Sequence, residues 1–346
     1  MVRSRRVWRR SVRRGPLRAS YAAAVLHERP SRRARWIERA ARLLLKPLLR
    51  LAPIGDRTFV RLRSLDRHRV RPPAADITAE PVDLNGVRAE WMEPAAGRAS
   101  GLTLLYFHGG GFFAGSINSH RSMCEQLVRQ TGGAVVSVDY IMLPEGTIVD
   151  SVAEAVAAYA AVLDRVDDPG RIVVGGDSAG GYLAMKVGEL CGARGLRPPA
   201  GLIGFSPLLS LDPEREDKDV IRIVRVRDAY LPVRRLPRIR ERWLPAGSTI
   251  EGIASPLDAA EAIESPVHLV AVEEEMLRPE VEAFAARLAE AGIEVELHLW
   301  RGQVHVFVVL VDLLPEAREA VRHAADFALR VTDGGGPGTP STYRQA

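Results

Sequence analysis

Short stretches of this sequence hold residues that together could do nucleophilic and acid–base chemistry. "VVGGDSAGGYL" places Ser178 between Gly176 and Gly180, where an apolar run gives way to a segment of helical period. At such a strand-to-helix turn a serine sits on a strained backbone with its hydroxyl exposed, and the helix that begins there aims its positive end at the same point. A phosphate-binding loop would need G-x-x-x-x-G-K-[ST], which this stretch lacks. A serine hydroxyl is a weak nucleophile. It needs a base to take its proton, an acid to orient that base, and N–H donors for the oxyanion. "YFHGGGFFAGS" offers donors, because Gly109, Gly110 and Gly111 have no side chains to keep their N–H groups from a ligand oxygen. "AVEEEMLRPE" ends an apolar run in Glu273-Glu274-Glu275, and "RGQVHVF" carries His305. Three adjacent carboxylates ordinarily make a solvated loop. Here a serine lies 97 positions before Glu275 and a histidine 30 positions after it, which gives them another use.

The elements that must position these residues alternate. Short apolar runs at 103–107, 134–139, 171–175, 202–206, 267–272 and 294–300 read as strands, and 119–130, 150–164, 179–192, 280–291 and 315–330 carry helical period. Alternation of this length implies an α/β domain, with a mostly parallel sheet covered by helices on both faces. Two stretches break the rhythm. One is the basic segment 1–78, and the other is 212–250, charged and punctuated by proline. The catalytic domain is then 79–332, and the low-complexity end 333–346 is expected to be disordered.

Hydrophobic residues at 47% and charged residues at 26% fit a soluble globular chain. The net charge of +5 hides a division. Residues 1–71 carry 21 Arg and one Lys against four acids, a net +18, while the remainder carries 26 basic and 39 acidic residues, a net −13. Around Trp36, Ala40, Leu43, Leu44, Pro47 and Leu48 the basic segment has an apolar stripe at helical spacing. That stripe fits a helix packed on the main domain, or an interfacial helix making weak contact with an anionic membrane surface. Specific nucleic-acid binding is not expected, because aromatic interleaving is poor and no recognition motif is present. Glu38, Arg42, Lys46 and Arg50 interrupt the apolar run, so it holds neither a signal-peptide core nor a membrane span. Cys124 and Cys191 have no metal-ligand spacing and require no oxidising compartment. A cytoplasmic protein is expected.

The motifs HGGGF at 108–112 and GDSAGG at 176–181 resemble those of the hormone-sensitive-lipase-like branch of the α/β-hydrolases, a group of bacterial carboxylesterases. So do "SH" at 119–120, "VDY…PE" at 138–145, "ASPLDA" at 254–259 and "GQVHVF" at 302–307. The resemblance runs from about 79 to 330. It implies the α/β-hydrolase fold with a helical cap, built from part of the N-terminal segment and from the insertion at about 212–250. It also implies that the N–H groups of Gly110, Gly111 and Ala179 form the oxyanion hole.

Of the eight histidines, His305 alone lies in a loop after a late strand and is expected to be the base. His108 belongs to the glycine loop, His120 to a helix's first turn, His268 and His298 to strands and His323 to the last helix, where structural roles are expected. In α/β-hydrolases the chain order is serine, acid, histidine. The family pattern E-x-D-x-L-R, laid over "EEEMLRPE", puts Glu273 at the leading glutamate and Glu275 at the aspartate's place. Glu275 is therefore the expected acid, the alternative being a site that has lost it. "DYIMLPEG" departs from the family's DYRLAPE by lacking the arginine of a structural ion pair.

The expected activity is hydrolysis of small-molecule carboxylic esters, with short to medium acyl chains, by a Ser-His-Glu triad that needs no metal or cofactor. Two alternatives remain: a lactone or amide hydrolase of the same family, and a non-catalytic small-molecule receptor on the same scaffold. The family's receptors lack the histidine that stands here as His305.

Overall fold

The computed structural model describes residues 24–67, 71–212, 227–231 and 235–333. The first 23 residues, part of the 212–250 insertion, and nearly all of the expected disordered tail lie outside the described residues.

In chain order, strand β1 (Val25–His27) leads into helix α1 (Arg32–Ala40), a π-helical turn (Ala41–Leu45), α2 (Lys46–Leu51) and α3 (Asp56–Arg67). Then come β2 (Ile77–Leu84), β3 (Val87–Pro94), β4 (Thr103–Phe107), α4 (Ile117–Thr131), β5 (Ala134–Val138) and α5 (Ile148–Arg165). The second half runs β6 (Ile172–Asp177), α6 (Ala179–Ala193), β7 (Gly201–Phe205) and α7 (Leu236–Trp243). It closes with β8 (Val267–Val272), α8 (Arg278–Glu290), β9 (Val295–Trp300) and α9 (Pro315–Thr332).

Among the described residues one sheet forms, in the order β1-β9-β8-β7-β6-β4-β5-β3-β2. It is parallel except where β3 pairs with β2 and β5. The expected strands and helices all form, with boundaries shifted by no more than about three residues. Every residue of β4, β5, β6, β7 and β8 is buried, as strands covered on both faces must be. Their side chains alternate: in β4, Leu105 and Phe107 enter the layer under α5, α6 and α8, whereas Leu104 and Tyr106 enter the layer under α4 and α9. Truncating such a fully buried leucine to alanine costs about 2–5 kcal/mol, so this core holds the strand ends in place.

Three strands lie outside the expected alternation. β2 and β3 form a hairpin closed by Asn85-Gly86, both at positive φ (56° and 90°), a two-residue turn whose twist matches the strands. β1, from the basic segment, adds a parallel edge strand beside β9, with His27 opposite Trp300.

The basic segment does pack on the domain, though not through the stripe its sequence presents. α1 buries Ala34, with Ile37 and Ala41 against the same core layer, and Ser31 caps it by accepting from Ala34 N at 3.1 Å. The stripe faces solvent: Trp36 is 70% exposed, Leu43 and Leu44 73% and Leu48 63%, and Leu51 just beyond it is exposed too. No helix among the described residues is long and apolar enough to cross a membrane.

The N-terminal helices and the insertion meet. The Arg42 guanidinium donates to Arg227 O at 2.6 Å, Lys46 Nζ donates to Asp228 O, and Arg235 donates to Leu49 O at 2.9 Å. Each bond satisfies a main-chain carbonyl, so the two segments form one helical layer.

Candidate active site

The residues singled out in the sequence converge beyond the carboxyl ends of the parallel strands, the usual place for a ligand in an open α/β sheet. Ser178 follows β6, the glycine loop follows β4, Glu275 lies just past β8, and His305 lies in the loop after β9.

Ser178 has φ 50° and ψ −114°, which an L-residue holds only when its surroundings enforce it. They do so here on both sides of the peptide. Ser178 N donates to Phe205 O at 3.0 Å, and Ser178 O accepts from Leu208 N at 2.9 Å and Tyr182 N at 3.1 Å. Glycine is obligatory nearby, since a Cβ on Gly180 would lie 1.9 Å from Phe107 O. The crossing of α6 over β4 therefore fixes the turn, and the turn presents the hydroxyl.

His305 Nε2 lies 3.0 Å from Ser178 Oγ, and His305 Nδ1 lies 2.8 Å from Glu275 Oε2. Both His305 and Glu275 are buried. The second carboxylate oxygen of Glu275 accepts from Val272 N at 3.0 Å, which anchors the acid to the end of its own strand. Burial acts to lower the His305 pKa, but the hydrogen bond and charge of Glu275 reverse that and raise it above 6.5.

The other two glutamates point elsewhere. Glu273 pairs with Arg301 at 2.6 Å and 3.0 Å. Glu274 accepts from Gly302 N at 2.9 Å. Together they tie the acid loop to the start of the histidine loop. Of the three, Glu275 alone touches His305.

The glycine loop is held from below and above. Asp177, buried directly before Ser178, accepts from Gly109 N at 2.9 Å and from Tyr106 Oη at 2.8 Å, and His120 lies against its other oxygen at 3.3 Å. Burial alone would raise the Asp177 pKa; the His120 charge and hydrogen bond more than offset it, and the pKa is lowered. Gly110 has φ +124°, and a Cβ there would lie 1.9 Å from Ala114 O. From the cap side, Trp243 Nε1 donates to Gly111 O at 2.7 Å. His108 bonds Gly109 O through Nδ1 at 2.8 Å and stacks on Tyr140, and burial lowers its pKa to about 4. It shapes the loop, and at neutral pH it is uncharged, its Nδ1–H committed to Gly109 O.

Several contributors were not singled out in the sequence. Asp177 stands inside the GDSAGG motif, whose spacing points to Ser178 and not to the residue before it. Asp228 accepts from Met276 N at 3.0 Å, directly after the acid, and Tyr230 Oη donates to His305 O at 2.9 Å. These two clamp the acid and base loops from the insertion, where no periodic pattern marks them. Trp243 gives no local signal either.

Residues 104–309 match the protein family described as alpha/beta hydrolase fold. The chain is 33% identical over 248 residues to an acetyl-hydrolase of Streptomyces hygroscopicus, covering 72% of this chain and 81% of that protein. It is 32% identical over 252 residues to the esterase LipU of Mycobacterium tuberculosis, covering 71% and 83%. Among solved structures, an esterase from the bacterial hormone-sensitive lipase family superposes with a TM-score of 0.75 at 26% identity, covering 88% of this chain and 99% of that one. An esterase from crystals soaked with p-nitrophenyl butyrate gives 0.77 at 26% identity, covering 88% and 100%.

Proposed function

Since the chain belongs to the α/β-hydrolase family, in its hormone-sensitive-lipase-like esterase branch, we propose that it cleaves carboxylic esters through an acyl-enzyme formed on Ser178. The chain is an esterase of the carboxylesterase and lipase type, so the non-catalytic receptor alternative falls away. The observation that carries the mechanism is the continuous path Glu275–His305–Ser178, with links of 2.8 Å and 3.0 Å.

Along that path the steps follow from the donors and acceptors present. Ser178 Oγ passes its proton to His305 Nε2 as it attacks the ester carbonyl. Glu275 holds the His305 Nδ1–H and stabilises the imidazolium that forms. The N–H groups of Gly110, Gly111 and Ala179 receive the charge on the carbonyl oxygen, and Ala179 adds the amino end of α6. His305 then returns the proton to the departing alcohol. A water molecule, deprotonated in turn by His305, attacks the acyl carbon and releases the acid with Ser178 restored.

Short to medium acyl chains are the proposed substrates, in keeping with a relative named as an acetyl-hydrolase and a structural neighbour whose crystals were soaked with p-nitrophenyl butyrate. The proposed cap joins α1 to α3 with α7 and the insertion. Its Phe59 stacks on Phe113 at 4.6 Å and its Trp243 bonds the glycine loop, so acyl selection falls to residues tied to the oxyanion donors. Both cysteines are free and buried, in keeping with a reducing compartment, and we place the protein in the cytoplasm.

The solvent-facing stripe favours one partner beyond the substrate. Trp36, Leu43, Leu44, Leu48 and Leu51 are exposed on helices that also carry Arg32, Arg33, Arg35, Arg39 and Arg50. Apolar side chains ringed by arginines complement the interface of an anionic bilayer, which the proposed cap then faces.

The direct test is labelling by a fluorophosphonate that reacts with activated serines. Wild type should be labelled and Ser178→Ala should not, with hydrolysis of p-nitrophenyl acetate falling on the order of 10⁴–10⁶-fold. Wild-type turnover in Ser178→Ala would reject the nucleophile.

A further inference from the structure

Four of the eight histidines gather at one place outside the triad: His27 on β1, His268 on β8, His298 on β9 and His323 on α9. The strand registers bring this about. His268 stands opposite Glu296, Val270 and Val25 stand opposite His298, and His27 stands opposite Trp300, so all these side chains share the sheet face that α9 covers. His323 approaches from that helix. Neighbouring ring centroids are 4.9 Å apart for His268 and His298, 4.8 Å for His298 and His323, and 5.6 Å for His27 and His323.

Three features distinguish this cluster from a packed set of core imidazoles. First, one nitrogen from each of His27, His298 and His323 lies within 4.8 Å of the others, and His27 Nε2 and His298 Nδ1 share a 3.1 Å hydrogen bond whose proton a cation would displace. A tetrahedral zinc site with Zn–N near 2.0–2.1 Å separates its nitrogens by roughly 3.4 Å, so modest ring rotations suffice. Second, His268 Nε2 and His323 Nε2 are buried with no hydrogen-bond partner, which a core normally avoids. Third, a carboxylate backs the cluster. Glu296 Oε2 lies 2.9 Å from His268 Nδ1 and its other oxygen accepts from Arg330 at 2.8 Å, which fixes the His268 ring that packs on His298. His27 and His323 are half-buried, which leaves a route in from solvent.

We propose that His27, His298 and His323 bind one divalent transition cation of the zinc class, with the His268 ring packed against His298. Imidazole ligands without thiolates suit zinc, copper or nickel and disfavour magnesium or calcium. The cation would link β1 to β9 and α9, stapling the basic segment to the edge of the sheet. The link stabilises the fold because it exists only in the folded chain. It takes no part in ester hydrolysis, since Ser178, His305 and Glu275 are not among its ligands.

Isothermal titration of the chelator-treated full-length protein with Zn²⁺ alone should give one saturable site, and Mg²⁺ should give none. X-ray absorption of the zinc-loaded protein should show a nitrogen-rich shell near 2.0–2.1 Å with imidazole scattering. In the double variant His27→Asn, His323→Asn, zinc affinity should fall at least about 100-fold and the zinc-dependent rise in Tm should vanish, while hydrolysis of p-nitrophenyl acetate persists. No saturable zinc binding by wild type overturns the proposal, as does a double variant that binds as tightly. The wild-type titration and absorption spectrum decide the matter even if the variant does not fold.

Discussion

The carboxylate of Glu275 engages two partners at once, His305 Nδ1 at 2.8 Å and Val272 N at 3.0 Å. The resemblance puts an aspartate at this position, and the extra methylene spans the gap between the end of β8 and the imidazole. Both carboxylate oxygens are therefore committed, and His305, held by one of them, stands with Nε2 3.0 Å from Ser178 Oγ.

The acid limb of kcat/KM follows from the electrostatics around His305. The base must be neutral to accept the serine proton. Its pKa is raised because Glu275, by hydrogen bond and charge, outweighs the lowering by burial. Activity should therefore be lost as pH falls through a value above 6.5. In Glu275→Gln burial acts unopposed by that carboxylate, and the limb should move down. A wild-type limb at or below 6.5 would mean that Glu275 does not control the base.

Trp243→Phe tests the grip of the proposed cap on the glycine loop. Phenylalanine keeps most of the packing against Phe112 but loses the N–H that Gly111 O accepts at 2.7 Å. Loss of one such bond is worth about 0.5–1.5 kcal/mol, so kcat should drop up to about tenfold with KM for p-nitrophenyl acetate little changed. A rise in KM at constant kcat would assign Trp243 to substrate binding instead.

Sedimentation with vesicles checks the solvent-facing stripe. The protein should bind phosphatidylglycerol vesicles at low ionic strength, bind phosphatidylcholine weakly, and release at about 0.5 M salt as the arginines are screened. Leu43→Glu with Leu44→Glu should weaken the binding and leave hydrolysis of a soluble ester intact. Equal binding of the double variant would show that the stripe does not enter the interface.

Much of this was legible in the sequence because the local patterns agree with the global fold. β4 through β8 are short, mostly apolar runs, and the motif around Ser178 needs its glycines for reasons of space that hold in any such turn. The β2–β3 hairpin carried a signal, Asn85-Gly86, that alternation of strand and helix obscured. Other features had no local signature. β1 is three residues long and exists only because β9 offers an open edge. The stripe of α1 and α2 has the spacing of a buried face, yet burial goes to Ala34 and Ile37 instead. Asp228 and Tyr230 reach the site from an insertion without periodicity. The four clustered histidines lie on four separate elements, so only sheet order brings them together.

Kinetics of the three adjacent glutamates, changed singly to glutamine, test the central claim most directly. Glu275→Gln places an amide where the imidazole N–H needs an acceptor, favours the wrong tautomer and leaves the imidazolium unsupported; kcat should fall by about 10⁴. Glu275→Asp should retain partial activity, because the shorter chain cannot reach both Val272 N and His305. Glu274→Gln keeps an acceptor for Gly302 N and should be nearly silent. Glu273→Gln loses its ion pair with Arg301 and should lower stability while sparing kcat. Wild-type kcat in Glu275→Gln, or a collapse of kcat confined to Glu273→Gln, would contradict a Ser178–His305–Glu275 triad.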